Sequence, residues 1–321
     1  MLNLVTSADA TFFRQQVHSL EERGVRTTTV PVPERDADGA DGPDRSAADY
    51  LRQLRQFRAQ PLEQYDLVHA NYGLTAPVAL SQRRLPVVLS LWGSDVNGTF
   101  GPLSRACSRF CDGVIVMSES MRRRLGRDCA VIPHGIDLER FEPMPRTAAC
   151  ERLGWNSDRK HVFFPYPTGR EVKDYPRAVR IVEAVRPRLE APVELVVGGG
   201  EVPHAEMPTY YSAADALLLT SRSEGSPNSV KEAMACRLPV VATDVGDVRE
   251  RLADVSPSVV GQYDSDLIVG LRDVLESGAR SNGREAVREV SLERTTEAIL
   301  EVYREAVGHV EPTVDEPTAT L

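Results

Sequence analysis

The chain of 321 residues lacks several features that would each indicate a particular class of protein. It has three lysines among 38 basic residues and a net charge of −9, which argues against a general nucleic-acid binder. Its five cysteines show no CxxC spacing, so we expect core thiols in a reducing, cytoplasmic compartment and no metal site. No apolar run approaches the ~18 residues of a membrane span, and residues 1–5 run straight into a predicted strand. We therefore expect neither a span nor a signal peptide.

Alternating strand and helix patterns fill the chain and predict an α/β protein. Its length and its 41% hydrophobic content fit a globular protein of two domains. The most informative stretch is residues 217–250, LLLTSRSEGSPNSVKEAMACRLPVVATDVGDVRE. It joins an apolar run at Ala216–Leu219, a polar turn at 221–228, a helical pattern at 229–236 and a second apolar run at 240–242. This order predicts strand, loop, helix and strand in a parallel sheet.

The loop before this helix has the composition of an anion site. A helix beginning near Asn228 offers unpaired N–H groups and a positive dipole end, and Gly225 allows close approach of a ligand. Glu224 and Glu232 flank the helix start, and a carboxylate suits paired sugar hydroxyls because charge-assisted hydrogen bonds contribute roughly 1.5–3 kcal/mol each. The pattern fits a nucleotide sugar. A helix N-cap followed by solvated glutamates explains the same spacing equally well.

Residues 224–250 closely resemble the carboxylate-pair motif of the family 4 retaining glycosyltransferases. The resemblance implies that Glu224 contacts the transferred sugar and that Glu232 holds the ribose of the donor nucleotide. It also implies that the loop around the helix start binds the donor pyrophosphate, through Gly225, Ser226, Asn228 and Ser229.

A second segment, PTGREVK at residues 167–173, matches the place where the family has an arginine and a lysine on the donor phosphates. Arg170 and Lys173 are implied to take these roles, and a solvated basic turn is the alternative. The family's base pocket usually lies near the segment that here contains Val202. This chain reaches that segment without the helix and strand that many relatives insert, so the base stays open.

The resemblance covers most of residues 60–308 and implies the GT-B architecture, in which two Rossmann-like domains face a cleft. We predict an acceptor-side domain at residues 1–143, with a helix at about 292–308 packing back on it. A nucleotide-sugar-binding domain is predicted at 144–291 and a flexible tail at 309–321.

Five residues are weaker candidates for the acceptor side. His69 and Tyr72 follow one predicted strand, Trp92 and Asp95 follow the next, and His134 lies in a segment that matches the end of the family's N-terminal domain. The family often has histidine where Trp92 stands. An indole cannot act as a base but can stack on a sugar ring, which leaves Asp95 as the nearest ionisable group. A structural role for His69 stays open.

A predicted helix near residues 51–58 combines an apolar stripe with basic side chains. The stripe is Leu51, Leu54 and Phe57, and arginine occupies positions 52, 55 and 58. The pattern fits a face that docks on a membrane, or an ordinary solvated helix face, so peripheral contact at the inner side of a membrane stays open. Residues 34–49 are acidic and rich in Gly and Ala, which predicts a surface loop.

The resemblance implies transfer of a sugar from a nucleoside-diphosphate sugar to an acceptor hydroxyl with retention, in cell-surface polysaccharide, glycolipid or glycoprotein glycan assembly. Arg170, Lys173 and helix amides are expected to stabilise the leaving pyrophosphate, so we predict no cofactor and no required metal ion. A glycan, lipid-linked or small-molecule acceptor stays open, as does the oligomeric state. The alternatives are a nucleotide-sugar epimerase of the same fold, or a catalytically silent partner of another transferase. Trp92 motivates the silent partner, as does the absence at residues 7–11 of a glycine pair that many relatives carry.

Overall fold

The computed structural model of the chain describes residues 1–33, 45–200 and 202–308, which divide into two compact units. Of these residues, the first unit takes those within Met1–Val116, Arg124–Ile132 and from Thr296 onward, and the second takes Met117–Arg123 and Pro133–Thr295. Residues 133–143, predicted in the first domain, thus belong to the second unit. The predicted tail at 309–321 lies outside the described residues.

The first unit is built on a parallel sheet of six strands in the order β2-β1-β3-β4-β5-β6. The strands are β1 (Leu2–Val5), β2 (Thr28–Pro31), β3 (Val68–Asn71), β4 (Val87–Leu91), β5 (Gly113–Val116) and β6 (Ala130–Val131). Leu4 on β1, the second strand of the sheet, pairs with Val30 of β2 and Ala70 of β3. Strands β1, β3 and β4 are buried along their whole length, as expected for parallel strands covered on both faces.

The second unit is built on a parallel sheet of five strands in the order β11-β10-β9-β7-β8. The strands are β7 (Lys160–Phe164), β8 (Val193–Val197), β9 (Ala216–Leu219), β10 (Val240–Thr243) and β11 (Val259–Gly261). Successive residues of β9 point into different cores, because Leu217 and Leu219 belong to one apolar cluster and Ala216 and Leu218 to another. The sheet is therefore covered on both faces, as a strand–helix–strand pattern predicts.

Helices connect the strands of both sheets. Those among the described residues are α1 (Thr11–Glu22), α2 (Ala47–Arg58), α3 (Ala76–Ala79), α4 (Ser94–Asn97), α5 (Gly101–Ser108), α6 (Glu119–Leu125), α7 (Arg146–Leu153), α8 (Tyr175–Val185), α9 (Met207–Ala213), α10 (Asn228–Ala235), α11 (Val248–Arg251), α12 (Asp264–Ser277), α13 (Gly283–Ala286) and α14 (Leu292–Gly308). None of these helices has both the length and the apolar composition needed to cross a bilayer.

Helix α2 begins inside the stretch predicted as a loop, so the end of that predicted loop is wrong. Ser46 and Asp49 form a capping box, in which the Ser46 amide donates to the Asp49 carboxylate at 2.8 Å. The composition of residues 34–49 does not reveal this helix start, because Ser and Asp are common both in loops and at helix N-termini. Residues 34–44 of the predicted loop lie outside the described ranges.

Two arginines of the second unit fix the C-terminal end of α10. Arg284 donates to the carbonyl oxygen of Ala235 at 2.8 Å, and Arg280 donates to that of Cys236 at 3.1 Å. The last carbonyls of a helix have no partner within the helix and lie at its negative dipole end, so guanidinium groups stabilise them. Part of the arginine content of the chain therefore serves the fold, and α10 is held rigidly at the end opposite its N-terminus.

Candidate functional site

The N-terminus of α10 lies at the carboxyl end of β9 in the second unit. Pro227 precedes the helix in an extended conformation (φ −69°), and no side chain within the described ranges caps the helix start. The Oδ1 atom of Asn228 is buried there without a hydrogen-bond partner among the described residues. Free helix N–H groups together with the positive dipole end form a site suited to phosphate.

Lys173 and Glu224 form an ion pair beside this helix start. The Lys173 Nζ atom lies 2.5 Å from the Glu224 Oε1 atom, and the two side chains are only 7% and 14% exposed. Lys173 Nζ also lies 3.7 Å from the centre of the Tyr166 ring, a cation–π contact. The Tyr166 hydroxyl in turn hydrogen-bonds the Ser229 hydroxyl in the first turn of α10. Two residues predicted from separate motifs are thus brought together, and Tyr166 connects them to the helix.

The loop that carries Lys173 is pinned to the end of β9. The Thr220 hydroxyl donates to the carbonyl oxygens of Lys173 and Asp174, at 2.9 and 3.0 Å. The Arg222 amide donates to the Val172 carbonyl at 2.8 Å. Asp174 adopts a left-handed conformation (φ 50°) and starts α8 by accepting a hydrogen bond from the Arg177 amide. Lys173 therefore stands on backbone that the strand itself positions.

Burial dominates the electrostatics around this ion pair. Burial lowers the pKa of Lys173, and the nearby charge of Glu224 acts in the opposite direction. Burial, followed by the Glu224 charge, raises the pKa of Tyr166 well above its ordinary value, so Tyr166 is neutral. A polyanion that binds here would favour the charged form of Lys173, because an opposite charge nearby offsets the cost of burial.

Glu232 is held differently, by hydrogen bonds to both of its carboxylate oxygens. The Tyr211 hydroxyl donates to Oε2 at 2.7 Å, and the His204 Nε2 atom lies 3.2 Å from Oε1. Arg140 approaches the other ring nitrogen of His204, Nδ1, at 3.2 Å. A guanidinium can only donate, so Nδ1 accepts and Nε2 carries the proton that goes to Glu232. A carboxylate has about four acceptor positions, so Glu232 keeps capacity for two further hydroxyl donors.

The loop between Glu224 and α10 depends on a close backbone contact. A Cβ atom at Gly246 (φ 60°) would lie 2.5 Å from the carbonyl oxygen of Gly225, so only glycine fits there. The Ser226 hydroxyl donates to Asp247 at 2.7 Å, and Arg251 donates to the same carboxylate oxygen at 2.9 Å. The Ser226 side chain therefore holds the loop in place, and its backbone is what remains for a ligand.

Lys231 is the second buried lysine of this region. Its Nζ atom donates to the backbone carbonyl of His134 at 2.7 Å, within the second unit. Burial lowers the pKa of Lys231 to about 8, with the charge of Asp247 opposing the shift. Burial also lowers the pKa of His134, so its ring is neutral. We predicted His134 on the acceptor side of the first domain; the structure groups it with the second unit, and its role at the acceptor stays a prediction.

The remaining donor-side candidates, Arg170 and Val202, lie in two different loops of the second unit. Arg170 is exposed in the loop that carries Lys173, and its charge contributes to the lowered pKa of Lys173. Val202 is half-buried in the connection between β8 and α9.

In the first unit an aromatic cluster stands at the carboxyl ends of the central strands. Trp92 contacts Phe12 edge-on with ring centres 4.8 Å apart and lies 5.8 Å from the Tyr72 ring. Tyr72 has a positive φ of 94°, which is rare for a residue with a side chain, and its hydroxyl hydrogen-bonds Ser94 at 3.0 Å. Strained backbone of this kind is concentrated at ligand sites. The predicted pair Tyr72 and Trp92 is thus adjacent, with Phe12 as an unpredicted third member.

His69 and Asp95 are both buried and hydrogen-bonded within the first unit, and their acceptor roles stay predictions. His69 is fully buried, with Nδ1 2.6 Å from the Tyr303 hydroxyl and Nε2 2.8 Å from the Ser90 hydroxyl. Burial lowers its pKa to about 3, so it stays neutral. The buried Asp95 carboxylate accepts backbone N–H groups of Gly73, Trp92 and Gly93 at 2.8–3.1 Å. It clamps the ends of β3 and β4 together and presents no free base.

Sequence patterns missed several residues that surround Glu224, Glu232 and Lys173 in the structure. Tyr166 occurs among the aromatic residues after β7, which look like core, and only the structure places it under Lys173. Tyr211 and His204 come from α9 and the connection before it, whose packing on α10 no spacing reveals. Gly246 offered a signal, because it lies within the motif at residues 224–250, directly before Asp247. Within the ranges described, no group of three His, Cys, Asp or Glu side chains is arranged to hold a metal ion.

Two family models match the chain, one in each half. Glycosyltransferase Family 4 matches residues 4–140, and Glycosyl transferases group 1 matches residues 172–277, so that together they match more than half of the chain. The chain belongs to the family 4 glycosyltransferases. The prediction from the motif at residues 224–250 is therefore confirmed at the level of the family.

Individual proteins agree with this assignment. A Bacillus subtilis (strain 168) protein named as a teichuronic acid biosynthesis glycosyltransferase, TuaC, is 31% identical over 64% of this chain. The chain spans 58% of the length of that relative. Sucrose-phosphate synthase from Thermosynechococcus elongatus superposes with a TM-score of 0.70 at 19% identity, covering 96% of this chain and 99% of its own. Anabaena HepE, solved in complex with UDP, superposes with a TM-score of 0.69 at 16% identity, covering 94% of this chain and 99% of its own. These likenesses confirm the predicted GT-B fold.

Proposed function

We propose that this protein transfers a sugar from a nucleoside-diphosphate sugar to the hydroxyl of an acceptor. The observation that carries the proposal is the N-terminus of α10, where free N–H groups lie between Glu224 and Glu232, with Lys173 beside them. Phosphate needs the helix end and the lysine, and the sugar and the ribose each need hydroxyl acceptors. The family membership and the UDP bound to Anabaena HepE support the same donor class.

The residues take distinct roles in this proposal. Lys173, Arg170 and the first N–H groups of α10 bind the pyrophosphate and stabilise the charge that develops on it as the bond to the sugar breaks. Glu232 binds the ribose, with its orientation fixed by Tyr211 and His204. Glu224 orients the hydroxyls of the transferred sugar and faces the positive charge that builds on the sugar carbon.

Retention of the anomeric configuration is part of the proposal. The acceptor hydroxyl attacks the anomeric carbon from the side that the diphosphate leaves, and its proton passes to a phosphate oxygen of the leaving group. The leaving group then serves as the base, which agrees with the absence of a free base at His69 and Asp95. We propose that protein groups meet the phosphate charge, so that no metal ion is required.

The acceptor and the cellular role are proposed at a coarser level. The aromatic cluster of Phe12, Tyr72 and Trp92 is suited to stacking on a sugar ring, which supports a glycan or a glycan-bearing acceptor. The name of the relative TuaC supports assembly of a cell-surface polysaccharide. Five cysteines, all of them free thiols, support a cytoplasmic location.

A screen of nucleotide sugars tests the proposal. One nucleoside diphosphate, and the nucleotide sugar that contains it, should raise the melting temperature of the wild-type protein. When an acceptor is present, the protein should release the free nucleoside diphosphate from that nucleotide sugar. Turnover should persist in EDTA. Loss of turnover in EDTA with recovery on adding magnesium or manganese would overturn the metal-free part alone.

The same screen separates the two alternatives. A silent partner would bind a nucleoside diphosphate and turn over no sugar donor. An epimerase would produce a C2-inverted free sugar without an acceptor. Analysis of the anomeric configuration of the product by NMR decides retention, since an inverted linkage would contradict the proposed geometry of attack.

A further inference from the structure

Helix α5 of the first unit has an apolar groove along one side. The groove has a volume of about 450 Å³, and its apolar walls come from α2, from the segment after β3 and from α5. The apolar side chains that line it include Leu51, Leu54, Leu74, Pro77, Phe100 and Leu103. Three of them, Leu51, Phe100 and Leu103, are 59%, 53% and 42% exposed. A cluster of exposed large apolar side chains marks a contact surface.

This groove differs from the stripe that the sequence of α2 predicted. Phe57 is 1% exposed and belongs to the core, and Arg52 pairs with Asp49 at 2.6 Å. Leu51 and Leu54 alone reach the groove from the stripe. The apolar surface is therefore shared between α2 and α5, an arrangement that the period of one helix cannot reveal.

A second groove, on the other side of α5, is cationic. Its volume is about 440 Å³, and it is lined by Arg105 and Arg109 at α5 and by Arg124 of α6. None of its lining residues is acidic, and within the described ranges none of the three arginines forms an ion pair with a carboxylate. Arg124 donates to the neutral side chain of Asn97 at 2.7 Å, so it keeps its net charge. The groove carries a concentration of positive charge in a chain whose net charge is −9.

The two grooves together match one kind of partner. Phe110, just beyond Arg109, is 74% exposed and adds a large apolar group beside the cationic groove. Apolar side chains next to unpaired arginines match the boundary between acyl chains and anionic headgroups of a bilayer. We propose that this two-groove surface docks the first unit on a membrane containing anionic lipids, with the arginines on lipid phosphates and Leu51, Phe100 and Leu103 inserted below them.

The inference stands apart from the proposed sugar transfer. None of the residues of the two-groove surface belongs to the donor site of the second unit, and membrane binding can be measured without any sugar donor. If the protein does not bind membranes, the proposed sugar transfer is unaffected. If it does not transfer sugar, the proposed membrane docking is likewise unaffected.

Sedimentation with lipid vesicles tests the docking. Wild-type protein should bind vesicles of phosphatidylglycerol and phosphatidylcholine and should bind pure phosphatidylcholine far more weakly. Raising the salt to about 0.5 M should weaken binding strongly, because the Debye length then falls well below 10 Å. A basic residue near an anionic surface contributes about fivefold in affinity, so the Arg105→Gln/Arg109→Gln variant should bind about thirtyfold more weakly. Leu51→Ser/Leu103→Ser should lose the binding that survives high salt.

Matched controls on the second unit keep the test specific. Arg188→Gln/Arg288→Gln removes the same charge from exposed positions, and Tyr263→Ser/Val269→Ser removes exposed apolar groups. Both should bind like wild type. Only variants whose melting temperature equals that of wild type are compared. If Leu51→Ser/Leu103→Ser unfolds, the single variant Leu103→Ala takes its place.

Three outcomes would overturn the proposal. The first is that wild-type protein does not bind the anionic vesicles, and the second is that the second-unit controls weaken binding as much as the two-groove variants do. The third is that light scattering shows a dimer, which Leu51→Ser/Leu103→Ser converts to a monomer while vesicle binding stays unchanged. In that case the apolar groove is an interface between two copies of the chain.

Discussion

The two carboxylates of the donor site are built in contrasting ways. Glu224 has a charged partner, Lys173, at 2.5 Å. Glu232 has the neutral donors Tyr211 and His204, at 2.7 and 3.2 Å. An ion pair between two groups that a substrate also needs must be rearranged when the substrate binds, whereas a carboxylate held by neutral hydrogen bonds is already oriented.

This difference fits a division of work between ground state and transition state. The ribose does not change during sugar transfer, so preorganisation of Glu232 improves binding of substrate and transition state alike. In the proposed reaction the transferred sugar gains positive charge, so the carboxylate of Glu224 can strengthen its interaction with the sugar as the reaction proceeds. The predictions below test this contrast, from the largest expected effect to the smallest.

Glu224→Gln should lower kcat by about a hundredfold, because it removes the charge that faces the reacting sugar and loosens the sugar's orientation. Steady-state kinetics with the identified donor measure the effect. Glu171→Gln, an exposed residue in the neighbouring loop, is the matched control and should keep full activity. If Glu224→Gln kept the kcat of wild type, Glu224 would not have the role at the transferred sugar that we assign to it.

Lys173→Ala and Arg170→Ala should each weaken binding of the nucleoside diphosphate by about tenfold to a hundredfold, the magnitude of a charged hydrogen bond. The loss should be greater for Lys173, since its removal also leaves Glu224 largely buried without its partner. Calorimetry measures both affinities. Lys160→Ala, on the N-terminal edge of β7, serves as control. Unchanged affinity in both variants would show that the phosphates bind elsewhere.

Lys231, the buried lysine on α10, gives a prediction about how the stability of the fold depends on pH. The pKa of Lys231 is about 8 in the folded chain and 10.5 when exposed, so between these values the unfolded chain binds more protons. Below pH 8 Lys231 is charged in both the folded and the unfolded chain, so its contribution to the free energy of unfolding is constant. Above pH 8 the stability of wild type relative to Lys231→Met should rise. The expected gain from pH 7 to 9.5 is about 2 kcal/mol. Denaturant unfolding of both proteins measures it, and a flat difference would contradict the burial of a charged amine.

Glu232→Gln should raise KM for the donor by about tenfold and change kcat little, because its contact is equal in both states. Tyr211→Phe should act in the same direction by a smaller factor, since it removes one of the two hydrogen bonds that orient Glu232. Glu206→Gln, exposed at the start of α9, is the control. A large fall in kcat for Glu232→Gln with KM unchanged would reverse the assigned roles.

Of the predicted site residues, the structure brings Lys173 and Glu224 into contact and encloses His69 and Asp95, and the difference has a local reason. Glu224, Gly225, Asn228 and Glu232 follow one another within a single strand–loop–helix, so their positions can be inferred from one motif. His69 and Asp95 also follow predicted strands at the expected end of a sheet. Whether such a side chain points outward or is enclosed depends on distant elements, such as α14 with its Tyr303, and no local pattern contains that information.

Packing between elements also hid the supporting groups. Tyr166 lies on the connection after β7 and Tyr211 on α9, and each contacts the site only because the sheet order places β9 between β7 and β10. The alternation of strands and helices predicted both sheets well. Their strand order, and the partners it creates, required the structure.

The affinity of the Glu224→Gln variant for the nucleoside diphosphate alone tests the central claim most directly. Among UDP, GDP and ADP, the one that wild type binds most tightly is titrated into both proteins by calorimetry. Glu224 competes with the diphosphate for Lys173, so removing its charge should leave the affinity equal or several-fold higher while turnover falls about a hundredfold. A tenfold loss of affinity would contradict the account, because Glu224 would then help to bind the nucleotide and would not serve the sugar.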